Sequence, residues 1–206
     1  MEKKVLVIID MQNDFVSGSL GSEAAKELPK KIDNFVEKTI PNVFDQMICT
    51  VDTHEDDTYF DTLEGKMLPI KHCIEGTDGI MYADPLRERM VKLYQGTHKK
   101  GYNGHFHFTI LKKPTFGCRS LPIEVRKFMM REDTPVFYLC GLCTDICVVT
   151  NALLLRTHYP NSNIYVIEDF CAGTSVENHE AALAVMKSCQ CAVINSQDAL
   201  SKLTSL

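Results

Sequence analysis

The 206-residue chain has no tryptophan, and none of its apolar runs approaches the roughly 18 residues of a membrane span. Basic residues never occur in blocks longer than two and the net charge is −5, so neither nucleic acid nor a membrane surface is an expected partner. Linkers rich in glycine, serine or proline and internal repeats are also absent. These absences predict one domain over residues 1–206, with the core of an ordinary globular protein.

Cysteine is the residue type that is unusually frequent. The nine cysteines form an odd-numbered set that lies mostly in apolar, strand-like runs, whereas a secreted disulfide framework is shorter, even-numbered and rich in loops. Near the N-terminus, the apolar run Val5–Ile9 is too short for the core of a signal peptide. We therefore expect a soluble protein of the reduced cytoplasm.

Short apolar runs alternate with amphipathic stretches along the whole chain. This alternation predicts a mainly parallel sheet of six strands with helices on both faces, a three-layer α/β/α fold. The predicted strands are Val5–Ile9, Val43–Val51, Phe106–Leu111, Val136–Cys140, Ile164–Ile167 and Ala192–Ile194. The predicted helices are Ala25–Thr39, Pro85–Leu93, Pro122–Met130, Asp145–Arg156, Glu177–Ser188 and Gln197–Leu203. Residues 53–104 form a long irregular region, and loops of that length usually carry function.

Chemically active side chains follow four of the predicted strands. Asp10 ends the first strand, Asp52 and His54 end the second, Lys113 with its neighbour Lys112 ends the third, and the fourth runs into residues 141–147. In a doubly wound sheet these carboxyl ends share one edge, where ligands bind. A thiol, a carboxylate and an ammonium group together are typical of nucleophilic catalysis. Taken alone, Asp10 could equally be a turn residue and Lys113 a solvated lysine.

Cys147 is the candidate nucleophile. With Thr144 or Asp145 as the helix cap, it would lie in the first helical turn, where free N–H groups favour a thiolate. The alternative is a buried structural cysteine, because cysteines are often core residues. The spacing of Cys140, Cys143 and Cys147 also suggests an iron–sulfur ligand set, but a cysteine inside a strand need not converge with the other two.

Asp52, His54 and His72 form the candidate metal site. Carboxylate and imidazole together suit a divalent ion such as Zn²⁺, and three protein ligands leave positions open for water and substrate. Glu64, in the loop between the two histidines, is a further candidate ligand. The alternative is a pair of loop histidines with an acidic neighbour and no metal function.

Six segments together resemble the isochorismatase-like cysteine hydrolase superfamily. The segments are VLVIIDMQNDFVSGSLGS, VDTHEDDTYF, PIKHCIEGTDG, LKKPTFGC, LCGLCTDICVVTNALL and EDFCAGTSVENHEAAL, and the resemblance covers about residues 4–188. It implies a six-stranded parallel sheet and a catalytic triad of Asp10, Lys113 and Cys147. It also implies an oxyanion site formed by the backbone N–H groups of Cys143 and Cys147, with a cis peptide bond before Cys143.

Within this superfamily, the metal pattern is similar to that of the nicotinamidase branch. Asp52, His54, Glu64 and His72 match its ligands, and a Gly-Thr-x-Gly segment follows at residues 76–79. The resemblance implies a zinc-assisted cysteine amidohydrolase that converts nicotinamide to nicotinate and ammonia in NAD salvage. The chain departs from the family at residues 117–119 and in having no tryptophan. The aromatic residues that could replace it in the substrate pocket are Phe15, Tyr59, Phe60 and Tyr102.

Two other functions are compatible with the sequence. A metal-free member of the superfamily would act on a ureido, carbamoyl or vinyl ether compound with the triad alone. A protein without catalytic activity would be a binding scaffold or a thiol redox protein. The presence of Cys147 argues against the scaffold, and the scattering of the other cysteines argues against the redox protein. A small-molecule amide is the expected partner, and a homo-oligomer is compatible with the sequence.

Overall fold

The computed structural model describes residues 1–204 and contains one central sheet with helices on both sides. The six strands are β1 (Glu2–Ile9), β2 (Gln46–Asp52), β3 (His107–Lys113), β4 (Thr134–Leu142), β5 (Ile164–Ala172) and β6 (Ala192–Ile194). The α-helices of the described residues are α1 (Asn13–Val16), α2 (Leu28–Thr39), α3 (Leu63–Met67), α4 (Leu86–Thr97), α5 (Leu121–Lys127), α6 (Val149–His158), α7 (Val176–Ser188) and α8 (Ser196–Thr204). Within residues 1–204, none of these helices has the length and apolar character to cross a membrane.

All neighbouring strands of the sheet run parallel, in the order β3-β2-β1-β4-β5-β6. The chain builds the sheet outward from β1 to one side and then from β4 to the other. The strand order therefore reverses between β1 and β4, and the loops after these two strands leave the sheet in different directions. This reversal opens a crevice at the carboxyl ends of the strands, which is the usual ligand site in such sheets.

The core lies on both faces of the sheet. Residues Val5–Ile9 of β1 have no exposed surface, because helices cover the strand on either side. This two-sided burial explains why the strands read as continuous apolar runs rather than as alternating patterns. The predicted six-stranded parallel α/β/α fold is confirmed.

The structure corrects several predicted boundaries. Strand β2 begins at Gln46 rather than Val43, and the predicted helix from Asp145 begins instead with a π-helical turn over Thr144–Val148. Two short helices, α1 and α3, and a 3₁₀ turn over Tyr59–Asp61 were not predicted. A segment of three to five residues is too short to show helical periodicity.

Candidate active site

Lys113, Asp10 and Cys147 meet at the carboxyl edge of the sheet. Lys113 Nζ lies 2.7 Å from Asp10 Oδ2 and 3.5 Å from Cys147 Sγ, and all three side chains are buried. Asp10 Oδ1 accepts a hydrogen bond of 2.7 Å from Thr50 Oγ1 on the adjacent strand β2. The neighbouring Lys112 points elsewhere and pairs with Glu75. The structure thus brings together the three residues of the predicted triad, with the predicted choice of lysine.

Burial and mutual charge dominate the ionisation of these three groups. Burial raises the pKa of Asp10, and the Lys113 ammonium opposes this shift. Burial also raises the pKa of the Cys147 thiol well above its usual range, Asp10 raises it further, and Lys113 lowers it. For Lys113, burial alone would lower the pKa, but the carboxylates of Asp10 and Asp52 oppose burial and the pKa is raised. The ammonium therefore stays charged, while the resting sulfur keeps its proton.

Cys147 lies in the π-helical turn that joins β4 to α6. The residue at the cap position is Cys143, whose side chain makes no capping hydrogen bond and whose carbonyl accepts from the N–H groups of Ile146 and Val148, both at 3.1 Å. The prediction of Thr144 or Asp145 as the cap was wrong, because their side chains bond instead to the loop after β5 and to α7. The expected thiolate is corrected as well, because burial and the neighbouring Asp10 raise the pKa of the Cys147 thiol.

The backbone before Cys147 has an unusual conformation at two successive places. The peptide bond between Leu142 and Cys143 is cis, as the resemblance implied. Gly141 has φ +127°, and a Cβ placed there would lie 1.9 Å from the carbonyl oxygen of Ile9. Strand β4 can therefore pass this close to β1 only with glycine at position 141. The close approach puts Asp10, which follows Ile9, beside the turn that carries Cys147.

Asp52, His54, Glu64 and His72 form a compact cluster next to the triad. One ligand atom from each residue lies within 4.8 Å of all the others, and it is the one group of this kind among residues 1–204. His54 Nε2 is 3.0 Å from Asp52 Oδ2, and His72 Nε2 is 3.4 Å from both Asp52 Oδ2 and Glu64 Oε1. Cys140, Cys143 and Cys147 form no such group, which removes the iron–sulfur alternative.

The chemistry of this donor set fits a divalent cation. Two carboxylates face two imidazoles in a largely buried setting, and when both imidazoles are neutral the four side chains carry a net negative charge that a cation can balance. Hydrogen bonds from both histidines outweigh burial and hold the pKa of Asp52 well below its usual range. Burial alone would lower the pKa of His72, but Asp52 and Glu64 raise it to about 10. The cluster thus attracts positive charge, which a proton or a metal ion can supply.

Two residues that the sequence analysis did not assign to the metal site hold its ligands in place. The Gln12 side chain accepts from the N–H of Asp52 at 2.8 Å and donates to its carbonyl at 2.9 Å. Tyr59 donates to the carbonyl oxygens of Leu68 and Ile70 at 2.8 and 2.9 Å. The Ile70 carbonyl also lies 2.9 Å from His72 Nδ1, so Nδ1 carries the hydrogen and Nε2 faces the cluster.

Cys147 of the triad and all four residues of the cluster line one cavity of about 800 Å³. Of the four predicted pocket aromatics, only Phe15 lines it, and its ring packs 5.5 Å from that of His72. The assignments of the other three are corrected: Tyr59 is buried behind the histidines, Phe60 lies beside Lys71, and Tyr102 donates to the Phe106 carbonyl. The remaining lining is mostly apolar and was not predicted, namely Leu20, Leu63, Met67, Leu68, Pro114, Phe116, Leu142 and Ile146.

Comparison with known proteins agrees with this architecture. The family model described as the isochorismatase domain matches residues 123–198. A nicotinamidase from Schizosaccharomyces pombe is 26% identical over 94% of this chain and 93% of its own length. The solved structure of nicotinamidase PncA from Bacillus subtilis is 28% identical, has a TM-score of 0.74, and is matched over 94% of this chain and 99% of that one. The chain is therefore similar to isochorismatase-like hydrolases in its fold and, over residues 123–198, in its sequence.

A third comparison concerns the metal. The pyrazinamidase of Pyrococcus horikoshii, solved in complex with zinc, has a TM-score of 0.72 and covers 94% of this chain and 99% of its own, at 22% identity. At that identity the likeness shows a shared fold. In this chain, the observation that bears on a metal is the donor set of Asp52, His54, Glu64 and His72, which could hold a metal ion.

Proposed function

We propose that this protein is a metal-assisted cysteine amidohydrolase that converts nicotinamide and water to nicotinate and ammonia. The observation that carries the proposal is the single cavity onto which both the Cys147 thiol and the Asp52–His54–Glu64–His72 cluster open. Such a cavity can hold a ring nitrogen at the cluster and an amide carbon at the sulfur. The names of the relatives, nicotinamidases and pyrazinamidases, support the same substrate class.

Attack on the amide begins with a proton transfer inside the triad. Asp10 accepts the proton of the Cys147 thiol while the sulfur bonds to the amide carbon. Burial raises the pKa of both groups, so the proton moves between two partners of similar environment rather than to bulk water. Lys113 remains positively charged beside Asp10 and Cys147, and it stabilises the negative charge that passes between them.

The amide oxygen becomes an oxyanion when the sulfur attacks. The backbone N–H groups of Cys143 and Cys147 are the proposed donors to it, and one well-aimed donor lowers such a barrier by about 3–4 kcal/mol. Both residues line the cavity. Burial raises the pKa of the Cys143 thiol to about 12, so its side chain stays protonated and only its backbone takes part.

In the second half of the reaction, Asp10 acts first as an acid and then as a base. Asp10 gives its proton to the departing ammonia, which leaves a thioester on Cys147. Water then attacks the thioester carbon while Asp10 accepts one of its protons; the C–S bond breaks, Asp10 returns that proton to the Cys147 sulfur, and the acid product ionises to nicotinate.

The metal ligands have a separate task in this proposal. Asp52, His54, Glu64 and His72 would hold a divalent cation such as zinc, which supplies a Lewis-acid position for the pyridine nitrogen of the substrate. Lys113 links the two halves of the site, because its Nζ also lies 3.3 Å from Asp52 Oδ1. Binding at two points would align the carboxamide over the sulfur.

Ammonia release tests the proposal against its alternatives. We expect rapid release from nicotinamide and pyrazinamide, slow release from benzamide, which lacks the ring nitrogen, and loss of activity with a chelator. Ammonia release from a ureido compound, or pyruvate release from isochorismate, by metal-free protein would favour the metal-independent hydrolases. Benzamide turned over as fast as nicotinamide would contradict the positioning role of the cluster.

Three further properties belong to the same proposal. Nicotinate formed in this way would return to NAD synthesis in the cytoplasm, with a small amide as the only required partner. Turnover of none of the compounds tested, neither the amides nor isochorismate, would instead favour a binding scaffold or a thiol redox protein. Size-exclusion chromatography with light scattering would establish whether the chain forms a homo-oligomer.

A further inference from the structure

Apolar side chains surround the mouth of the active-site cavity. We call Leu20, Leu63, Met67 and Phe116 the apolar collar; all four line the cavity, and they come from three separate segments of the chain. Leu63 and Met67 are each 79% exposed and Phe116 is 44% exposed. Large apolar groups that remain exposed at the rim of a cavity are typical of a ligand-binding surface.

The local structure of α3 fixes the outward direction of two of these side chains. The Thr62 hydroxyl caps the helix by accepting from the N–H of Gly65 at 2.9 Å. A Cβ at Gly65 would lie 2.0 Å from the carbonyl oxygen of Tyr59. The side of the helix that carries Gly65 therefore packs directly on the preceding turn. The Glu64 side chain points to His72, another of the proposed metal ligands. Leu63 and Met67 are four residues apart, share one side of the helix and point to the mouth.

The cavity is larger than one pyridine ring requires. Its volume of about 800 Å³ lies within the roughly 300–1,000 Å³ of sites that enclose drug-sized ligands. A ring held between Cys147 and the cluster lies at the floor of the cavity, next to Phe15. Most of the surface of Leu63 and Met67 then remains exposed.

The substitution pattern of the substrate defines what can reach the collar. In nicotinamide the ring nitrogen and the carbon that carries the carboxamide flank ring carbon 2. When both groups face the floor of the cavity, carbon 2 does so too, and carbon 5, on the opposite side of the ring, points to the mouth.

We propose that the apolar collar binds an apolar group on ring carbon 5, so that 5-alkyl and 5-aryl pyridine-3-carboxamides belong to the substrate class. This inference rests on the proposed function. Because the collar contacts the substituent and not the reacting amide, its binding energy lowers KM and leaves kcat nearly unchanged.

Steady-state kinetics with nicotinamide and 5-phenylnicotinamide tests the inference. The test variant is Leu63→Gln with Met67→Gln, which keeps side-chain length and helix propensity. The matched control is Ile123→Gln with Met130→Gln, two apolar residues that are 64% and 70% exposed and lie outside the cavity lining. We expect wild type to have a KM about tenfold lower for the phenyl compound than for nicotinamide. The test variant should lose that advantage, and the control variant should keep it.

The outcomes separate the collar from the proposed function. If wild type hydrolyses both amides and the test variant keeps the same KM ratio, the collar does not bind the substituent and only this inference is overturned. If the phenyl compound is rejected while nicotinamide is hydrolysed, the inference is likewise overturned. If wild type hydrolyses neither amide, the proposed function fails, and the inference fails with it.

Discussion

Lys113 connects the triad to the cluster of proposed metal ligands through direct contacts. Its buried ammonium lies within 3.5 Å of Asp10, Asp52 and Cys147. A buried charge is tolerated only when it is paired, and here two carboxylates compensate it. The contact with Asp10 opposes the rise in its pKa that burial causes, and the contact with Asp52 fixes the orientation of this proposed ligand. A change at either site is therefore expected to influence the other.

His54→Ala is expected to weaken metal binding and substrate binding together. The substitution removes one of four donors, so the affinity for zinc should fall by more than the roughly 10–100-fold lost with an outer-shell partner. Elemental analysis after dialysis would measure bound zinc, and KM for nicotinamide should rise about tenfold or more. His158→Ala is the control, because His158 is exposed at the end of α6 and bonds to Leu154. Retention of stoichiometric zinc by His54→Ala would contradict the assignment of this ligand.

At the scale of elements, the site depends on the close approach of β4 to β1. Strand β4 pairs with β1 from Thr134 to Gly141, and its register with β5 shifts between Leu139 and Gly141. The irregularity turns the chain at the strand end, and the π-helical turn then carries Cys147 towards Asp10. The proposed nucleophile is thus placed by two strands and a turn.

Gly141→Ala is expected to destabilise the fold severely. The added Cβ would overlap the Ile9 carbonyl in a backbone conformation that L-residues rarely adopt, so we expect a loss of about 4 kcal/mol or more in the free energy of unfolding. Gly96→Ala in α4 is the matched control, because a Cβ there meets nothing within 4 Å and should stabilise the helix by up to about 1 kcal/mol. Denaturant unfolding measures both. Equal stability of Gly141→Ala and wild type would show that the strands can separate without penalty.

At the scale of the whole molecule, the sequence predicted the fold and the meeting point of the chemical groups. Buried parallel strands are recognisable as continuous apolar runs. Their carboxyl ends lie at one edge of the sheet, and the reversal of the strand order opens a crevice at that edge. Asp10, Asp52 and Lys113 each end or follow such a strand, so a local pattern was sufficient to place them. Their convergence in the structure follows from the topology of the sheet.

The sequence could not predict the parts of the site that depend on contacts between distant segments. Gln12 holds Asp52 from 40 residues away, and Tyr59 reaches carbonyl groups across a loop. The pocket aromatics were chosen by residue type, but the direction of a loop side chain is set by its neighbours in space. Likewise, the expectation of a thiolate at Cys147 did not account for the burial of its sulfur. That burial depends on the distant segments that pack around the turn.

The mass of the whole chain during turnover tests the proposed mechanism most directly. Enzyme mixed with nicotinamide and quenched in acid within a fraction of a turnover should carry one nicotinoyl group, and peptide mapping should find it on Cys147. Cys147→Ala should show neither the added mass nor ammonia release, whereas Cys143→Ala, which keeps the backbone N–H, should show both. Ammonia release by Cys147→Ala at a rate close to that of wild type, or a nicotinoyl group on another residue, would contradict the mechanism.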